Sequence, residues 1–314
     1  MYKRILVTGG TGLLGTGIKA VSAGFPENEF VFFGSKDCDL TRLDEALRFV
    51  RHYRPDAIIH TAALAGGVQY STNYPATLLR DNVLMNINVL EAARSTGVQK
   101  TIMTLSTGMY PTKAPNPIRE EQVHEGAPHE SNYSYSFAKR LIEPSIRAYR
   151  KEYGINVIGL VSNGIFGENA NFRPEESVML AALIRRFYES RQSNGKIVIW
   201  GDGSPLREYT YSKDMARAFM WCLEHYDDPQ ILHVGSTEEH SVKEAAFMVA
   251  EILGIDFSRI VFDPSKPAGI LKKSTDNSRF LNLSGFQYTP FRVGLENMIK
   301  WFCDNYDKPS AVRL

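Results

Sequence analysis

Ile5-Leu6-Val7-Thr8-Gly9-Gly10-Thr11-Gly12-Leu13-Leu14-Gly15 decides the fold. A short apolar run suits a buried strand, and glycines at 9, 12 and 15 follow it at once. A strand feeding a glycine-rich turn that opens a helix is the arrangement that binds dinucleotides. The glycines permit a tight turn and let the backbone approach a pyrophosphate, whose charge sits at the helix N-terminus. Gly9, Thr11, Gly12, Leu13, Leu14 and Gly15 are therefore expected against the cofactor.

Working outward, Phe30-Val31-Phe32-Phe33 reads as a second strand, followed by Gly34-Ser35-Lys36. An NAD-selective site carries an acidic residue just past this strand. Here a hydroxyl and a cation stand in its place, which suits a 2′-phosphate, so NADP(H) is the expected cofactor. Asp39 and Leu40 are expected at the same end of it. Asp56-Ala57-Ile58-Ile59-His60 is a third strand, with His60 packed rather than catalytic, and it runs into Thr61-Ala62-Ala63. Ala62 and Ala63 are small enough for a cofactor to lie against the backbone. Residues 74–96 read as a long helix, with Asn82 expected towards the cofactor. Thr101–Ser106 is a fourth strand and Asn156–Val161 a further one. Strands alternating with helices predict an α/β fold with a doubly wound parallel Rossmann sheet. The alternation stops near Gly167. Residues 1–168, rejoined by about 212–235, are the expected dinucleotide-binding domain. About 169–211 and 236–314 would form a smaller C-terminal α/β substrate lobe.

Tyr135 and Lys139 are four apart, which on a helix sets them on one face, one turn from each other. An ammonium beside a phenol favours the phenolate and lowers its pKa, which makes Tyr135 a candidate proton donor. Tyr209 and Lys213 match the same spacing. Ser106 favours the first pair, because it ends a strand at the sheet edge where ligands bind in such folds.

A formal net charge of +1 gives no electrostatic footprint for nucleic acid. The first apolar run is too short for a membrane span or a signal peptide. Cys38, Cys222 and Cys303 lack metal-ligand spacing and read as reduced thiols of a cytoplasmic protein; no metal is expected. Arg185, Arg186, Arg207, Lys272 and Lys273 concentrate cations in the C-terminal part, fit to grip a phosphorylated, nucleotide-bearing substrate.

The glycine loop, Ser106 and the Tyr135/Lys139 pair together resemble the extended short-chain dehydrogenase/reductase family. Within it, Leu105-Ser106-Thr107-Gly108-Met109-Tyr110-Pro111, Pro128-His129-Glu130-Ser131-Asn132-Tyr133, Trp200-Gly201-Asp202-Gly203 and Lys272-Lys273 resemble the GDP-L-fucose synthase subfamily. So do Ser162-Asn163-Gly164-Ile165-Phe166-Gly167 and Leu183-Ile184-Arg185-Arg186-Phe187, and the likeness covers nearly the whole chain. It implies that Ser106 hydrogen-bonds a reacting carbonyl oxygen, that Tyr135 protonates it, and that Lys139 holds the nicotinamide ribose. It also implies that Thr107, Gly108, Asn163, Arg186, Trp200, Arg207 and Lys273 contact a GDP-sugar. A homodimer packed through helices near 80–96 and 133–152 is implied as well.

Two positions depart from that pattern. The subfamily carries a cysteine where this chain has Gly108, and a histidine where it has Ser177. In the resemblance those side chains are the base and acid of C3 and C5 epimerisation. Neither glycine nor serine replaces them near neutral pH. His124 and His129 are the nearby substitutes. The expected activity is therefore NADPH-dependent C4 reduction of a GDP-linked 4-keto sugar, hexose or heptose, without epimerisation. A bifunctional 3,5-epimerase/4-reductase and a non-catalytic nucleotide-binding protein are the alternatives.

Overall fold

The computed structural model describes every residue except Met1, Glu175, Asn194, Pro267, Ala268, Gly269 and Pro309. In chain order the strands are β1 (Arg4–Thr8), β2 (Glu29–Phe33), β3 (Ala57–His60), β4 (Lys100–Ser106), β5 (Val157–Ser162) and β6 (Gly164–Phe166). Then come β7 (Ile197–Trp200), β8 (Leu206–Tyr211), β9 (Leu232–His233), β10 (Glu239–Ser241) and β11 (Ile260–Asp263). The helices are α1 (Leu13–Val21), α2 (Leu43–Tyr53), α3 (Val68–Asn73), α4 (Pro75–Thr96), α5 (Tyr133–Arg140) and α6 (Ile142–Tyr153). They continue with α7 (Met179–Glu189), α8 (Ser212–His225), α9 (Val242–Leu253), α10 (Ser278–Ser284) and α11 (Phe291–Asn305).

Ile5, Leu6 and Val7 have no exposed surface because β1 is central and covered on both faces. Side chains alternate across a strand. Ile5 and Val7 accordingly join a core with Ile18 of α1 and Met215 and Phe219 of α8. Leu6 points the other way, to Val50 of α2 and Val89 of α4. The six strands run in the order β2-β1-β3-β4-β5-β9, with every pairing parallel. The order reverses between β1 and β3, whose ends at Thr8 and His60 open the crevice used for ligands in such sheets. Helix α4 starts with proline in its first turn and stops at Gly97, whose left-handed φ of 73° lets its N–H close back on Ala93.

The chain leaves this sheet after Ser162. Gly164–Phe166 pairs with Tyr209–Tyr211 in a second sheet of order β10-β8-β6. Strands β7 and β11 form a parallel pair beside it. Phe166, Phe172, Phe187, Leu295 and Phe302 gather α7 and α11 around a separate core. Leu13, at the start of α1, packs against that second core and so joins the two parts. The segment after α11 returns to it: Val312 is buried there, and Arg313 bridges to Asn171.

Candidate active site

Two cavities flank the sheet edge. The first, about 340 Å³, is lined by Gly9, Thr11, Gly12, Ser35, Asp39, Leu40, Ala62, Ala63 and Leu64, joined by Asp81, Met85 and Arg313. Gly9 has φ of +64°, and a Cβ there would lie 2.7 Å from the Ala62 nitrogen. Any side chain would thus close the approach between the loop and the β3 end. A Cβ on Gly15 would collide with the Gly9 carbonyl oxygen. Gly12 caps α1 with no side-chain hydrogen bond, which leaves backbone N–H groups of that helix start open to an anion. A glycine loop in front of an uncapped helix start suits a dinucleotide diphosphate.

Several expected cofactor residues do not line it. Leu14 is buried beneath the loop, and Leu13 faces the second core. Lys36 is exposed in the turn after β2, next to Ser35. Asn82 is spent on backbone: its Oδ1 accepts from Leu64 N–H at 3.0 Å, and its Nδ2 donates to Leu64 O and Leu78 O. It holds the wall at Leu64 rather than pointing in. The acids after β2 are engaged locally, Asp37 by the Gly34 N–H and Asp39 by both the N–H and hydroxyl of Thr41.

The second cavity, about 510 Å³, is lined by Thr107, Gly108, His129, Ser131, Asn132, Ser136, Asn163, Arg207, Glu208, Tyr209 and Lys273. Val178, Ile270 and Leu180 add apolar wall. Burial, with Arg207 and Arg140 adding like charge, pushes Lys273 down to about 8. Burial also lowers Arg207, whose guanidinium donates to the Leu206 and Ile270 carbonyls. Two desolvated cations at one wall favour an anionic ligand. Glu208, the acid beside them, has its charge spread over Thr275 N–H, Thr275 Oγ1 and Asn163 Nδ2. The Asn163 amide is fully committed to Glu208, Ser236 O and Thr210. Arg186 and Trp200 are absent from this lining. Arg186 donates to Val198 O at 2.6 Å, and Trp200 is 63% exposed.

Ser106, Tyr135 and Lys139 meet beside Thr107, Gly108 and Ser136. Helix α5 buries Lys139, whose Nζ donates to Thr104 O at 2.8 Å and lies 5.9 Å from the Tyr135 ring centre. Burial lowers Lys139 to about 8. Tyr135 departs from expectation: burial pushes its phenol up to about 12, against a hydrogen bond with Ser106 that pulls it down. The ammonium is turned to the Thr104 carbonyl, so desolvation outweighs its attraction. At neutral pH the phenol holds its proton and is a donor.

Behind this group runs a directed chain that sequence reading missed. Thr8 Oγ1 accepts from the Thr61 and Ala62 N–H groups, both at 3.1 Å, so its own proton goes to His60 Nδ1 at 2.8 Å. His60 must then carry its proton on Nε2 and donate to Asn86 Oδ1 at 3.1 Å. Asn86 Nδ2 donates on to the Ala138 carbonyl of α5 at 3.4 Å. Burial drives His60 to about 3, so it stays neutral. The glycine cradle and the tyrosine helix are thereby tied through one histidine tautomer.

A model of the NAD dependent epimerase/dehydratase family matches residues 5–235. The chain belongs to that family. As a member it is similar along its length to a probable GDP-L-fucose synthase from Drosophila melanogaster, 37% identical over 98% of this chain and 99% of that protein. A GDP-L-fucose synthetase structure from Naegleria fowleri, bound to NADP, superposes with TM-score 0.93 at 35% identity, covering 99% of this chain and 95% of that one. A GDP-6-OMe-4-keto-L-xylo-heptose reductase from C. jejuni shares the epimerase/dehydratase fold, with TM-score 0.89 at 24% identity over 96% and 98% of the two chains. The extended short-chain dehydrogenase/reductase likeness read from the motifs is thus borne out. Among the described residues no helix is long and apolar enough to cross a membrane.

Proposed function

We propose that the protein is an NADPH-dependent C4-ketoreductase of a GDP-linked 4-keto sugar that does not epimerise C3 or C5. The observation that carries this is a protonated Tyr135 beside Ser106 and Lys139, next to a cavity whose Gly108 wall is bare. The names of the relatives at 35% and 37% identity support the GDP-sugar class and the cofactor. Residues 1–168 with about 212–235 would serve the dinucleotide, and about 169–211 with 236–314 the sugar nucleotide.

The open α1 N-terminus and the glycine loop fit a bound dinucleotide, with Ser35 in the lining and the exposed Lys36 next to it at the adenosine end. Hydride donation is the chemistry that group supplies when bound. Lys139 holds the ribose and Ser106 the C4 oxygen, while Tyr135 delivers the proton that oxygen requires. Arg207 and Lys273 hold the substrate diphosphate, whose charge would raise the Lys273 pKa back towards its ordinary value.

A Cβ on Gly108 would stand 3.4 Å from Ser106 Oγ and 3.6 Å from Ser136 Oγ, which is ordinary contact. Space therefore does not force a glycine there, and a proton-transferring side chain is simply missing. Ser177 Oγ is buried without a partner among the described residues, immediately before the cavity residue Val178. One observation favours the bifunctional reading: His129 lines the same cavity, with Nδ1 accepting from Ser131 N–H at 3.2 Å. His124 is no rival, being bound to Glu143 at 2.8 Å outside that lining. Incubation with GDP-4-keto sugar in D₂O without NADPH decides between them. No enzyme-dependent deuterium at C3 or C5 is expected, and its appearance would overturn the reductase-only reading.

Two further proposals accompany this one. Lys36→Ala should weaken NADPH more than NADH, read by fluorescence titration; equal losses would show that Lys36 does not meet the extra phosphate. A homodimer through α4, α5 and α6 is supported by Leu84 on α4, Phe137 on α5 and Leu141 between α5 and α6, all exposed. Light scattering at micromolar concentration should give twice the chain mass of 35.3 kDa.

A further inference from the structure

We propose that Arg313, in the segment after α11, binds the pyrophosphate of the dinucleotide and closes the cradle from the side opposite the glycine loop. The proposal rests on the dinucleotide reading of that cavity. Arg313 lines it together with Thr11 and Gly12, although it lies some three hundred residues further along the chain.

The backbone carries the side chain there. Phe172 N–H donates to Arg313 O at 2.9 Å, and residues 171 and 313 form a parallel bridge. Val312 anchors the segment in the second core, the same core that Leu13 of α1 touches. The guanidinium donates to the Asn169 carbonyl. Asn169 adjoins Ala170, a member of that core.

Among the described residues the electrostatics lack a free counter-charge. Arg313 is partly buried, and burial with the nearby Arg173 disfavours its charged form. Glu176, the acid that acts on it, is already engaged by Asn171 at 2.9 Å and by Arg173 at 3.4 Å. Of the acids in the lining, Asp81 pairs with Arg80, and Asp39 is held by Thr41. A desolvated guanidinium with one neutral partner, beside an uncapped helix start, is a fork set for two phosphate oxygens. Gly9–Gly12 would supply amides from one side and Arg313 the compensating charge from the other. Cofactor binding would then depend on the second core being formed, since that core holds Val312 and Asn169–Phe172 in place.

The test titrates the full chain with NADPH and with NADH, following nucleotide fluorescence. Both carry the pyrophosphate and only one carries the 2′-phosphate. Arg313→Ala is expected to weaken both by the same factor, roughly ten- to a hundredfold. Arg313→Gln keeps a donor for the Asn169 carbonyl and loses the charge. It should not lower the melting temperature of the free protein and should show a similar loss, and it carries the test if the alanine variant fails to fold. Unchanged affinities in a folded variant would overturn the proposal. A loss confined to NADPH would also overturn it, by assigning Arg313 to the 2′-phosphate. Failure of the unsubstituted protein to bind either nucleotide would instead sink the dinucleotide reading, and this proposal with it.

Discussion

Tyr135 and Lys139 stand one turn apart on α5, whereas Tyr209 and Lys213, at the same spacing, straddle the end of β8 and the first turn of α8. On the single helix, both side chains reach the sheet edge at Ser106 and Thr104. Across the strand–helix junction they part. Tyr209 stacks on Phe291 at 4.8 Å, with its hydroxyl buried and, among the described residues, unpartnered. Lys213 turns to Glu168, which also accepts from Tyr211. A four-residue interval brings side chains together only where the backbone turns 3.6 residues per turn. The second pair lacks that backbone, so its side chains do not meet.

The sharpest way to break this comparison is to remove each phenol hydroxyl. Tyr135→Phe should lower the reduction rate by about 10²–10⁴-fold with NADPH affinity retained, since only the donated proton is lost. Tyr209→Phe should stay within a few-fold of the unsubstituted rate. A crippled Tyr209→Phe with an active Tyr135→Phe would reverse the assignment.

Replacing the first lysine separates chemistry from stability. Lys139, held near 8 by burial, binds its proton less tightly in the folded state than in the unfolded one. That costs stability in full below about pH 8, and the cost fades as pH rises towards the ordinary value of 10.5. Lys139→Met should therefore lose turnover while gaining up to about 3 kcal/mol at pH 7. Denaturant melts at pH 7 and pH 10 check this; a gain that does not shrink at the higher pH would refute the account.

Tyr209→Phe sharpens the contrast on a smaller scale. Removing a buried hydroxyl that has no partner should stabilise the free protein by about 1 kcal/mol, read from the urea midpoint at constant slope. A loss of stability would mean that the hydroxyl is satisfied after all. Smallest of all is Lys213→Met. Its ion pair with Glu168 is partly exposed, so about 0.5–1 kcal/mol should be lost, less at high salt. No salt dependence in the mutant's deficit would show that packing, and not charge, holds Lys213.

Much of the fold was legible because its signals are local. The glycine spacing at 9, 12 and 15, the apolar runs at 5–7 and 57–60, and the proline and glycine that bound α4 each act over a few residues. The edge strand β9 was harder to see, because two residues carry no periodicity and gain their partners only from Leu160 and Val161. Within the site, Ser106, Tyr135 and Lys139 were readable as a strand end and a helix face. Asn82 was read as a cofactor contact, and sequence does not show that its amide is spent on Leu64 and Leu78.

By itself, then, the sequence determined the parallel α/β class, the glycine-rich loop and the helix that sets Tyr135 beside Lys139, because near-neighbour backbone geometry dictates all three. Gly108 and Ser177, which carry the reductase-only reading, were equally plain as residue types. Only the tertiary structure decided which Tyr/Lys pair meets a serine, which tautomer His60 holds, and that Arg313 reaches the cavity of Gly12. Each of those depends on contacts between residues far apart in the chain. Such contacts form only once packed cores have paid the entropy of bringing the segments together.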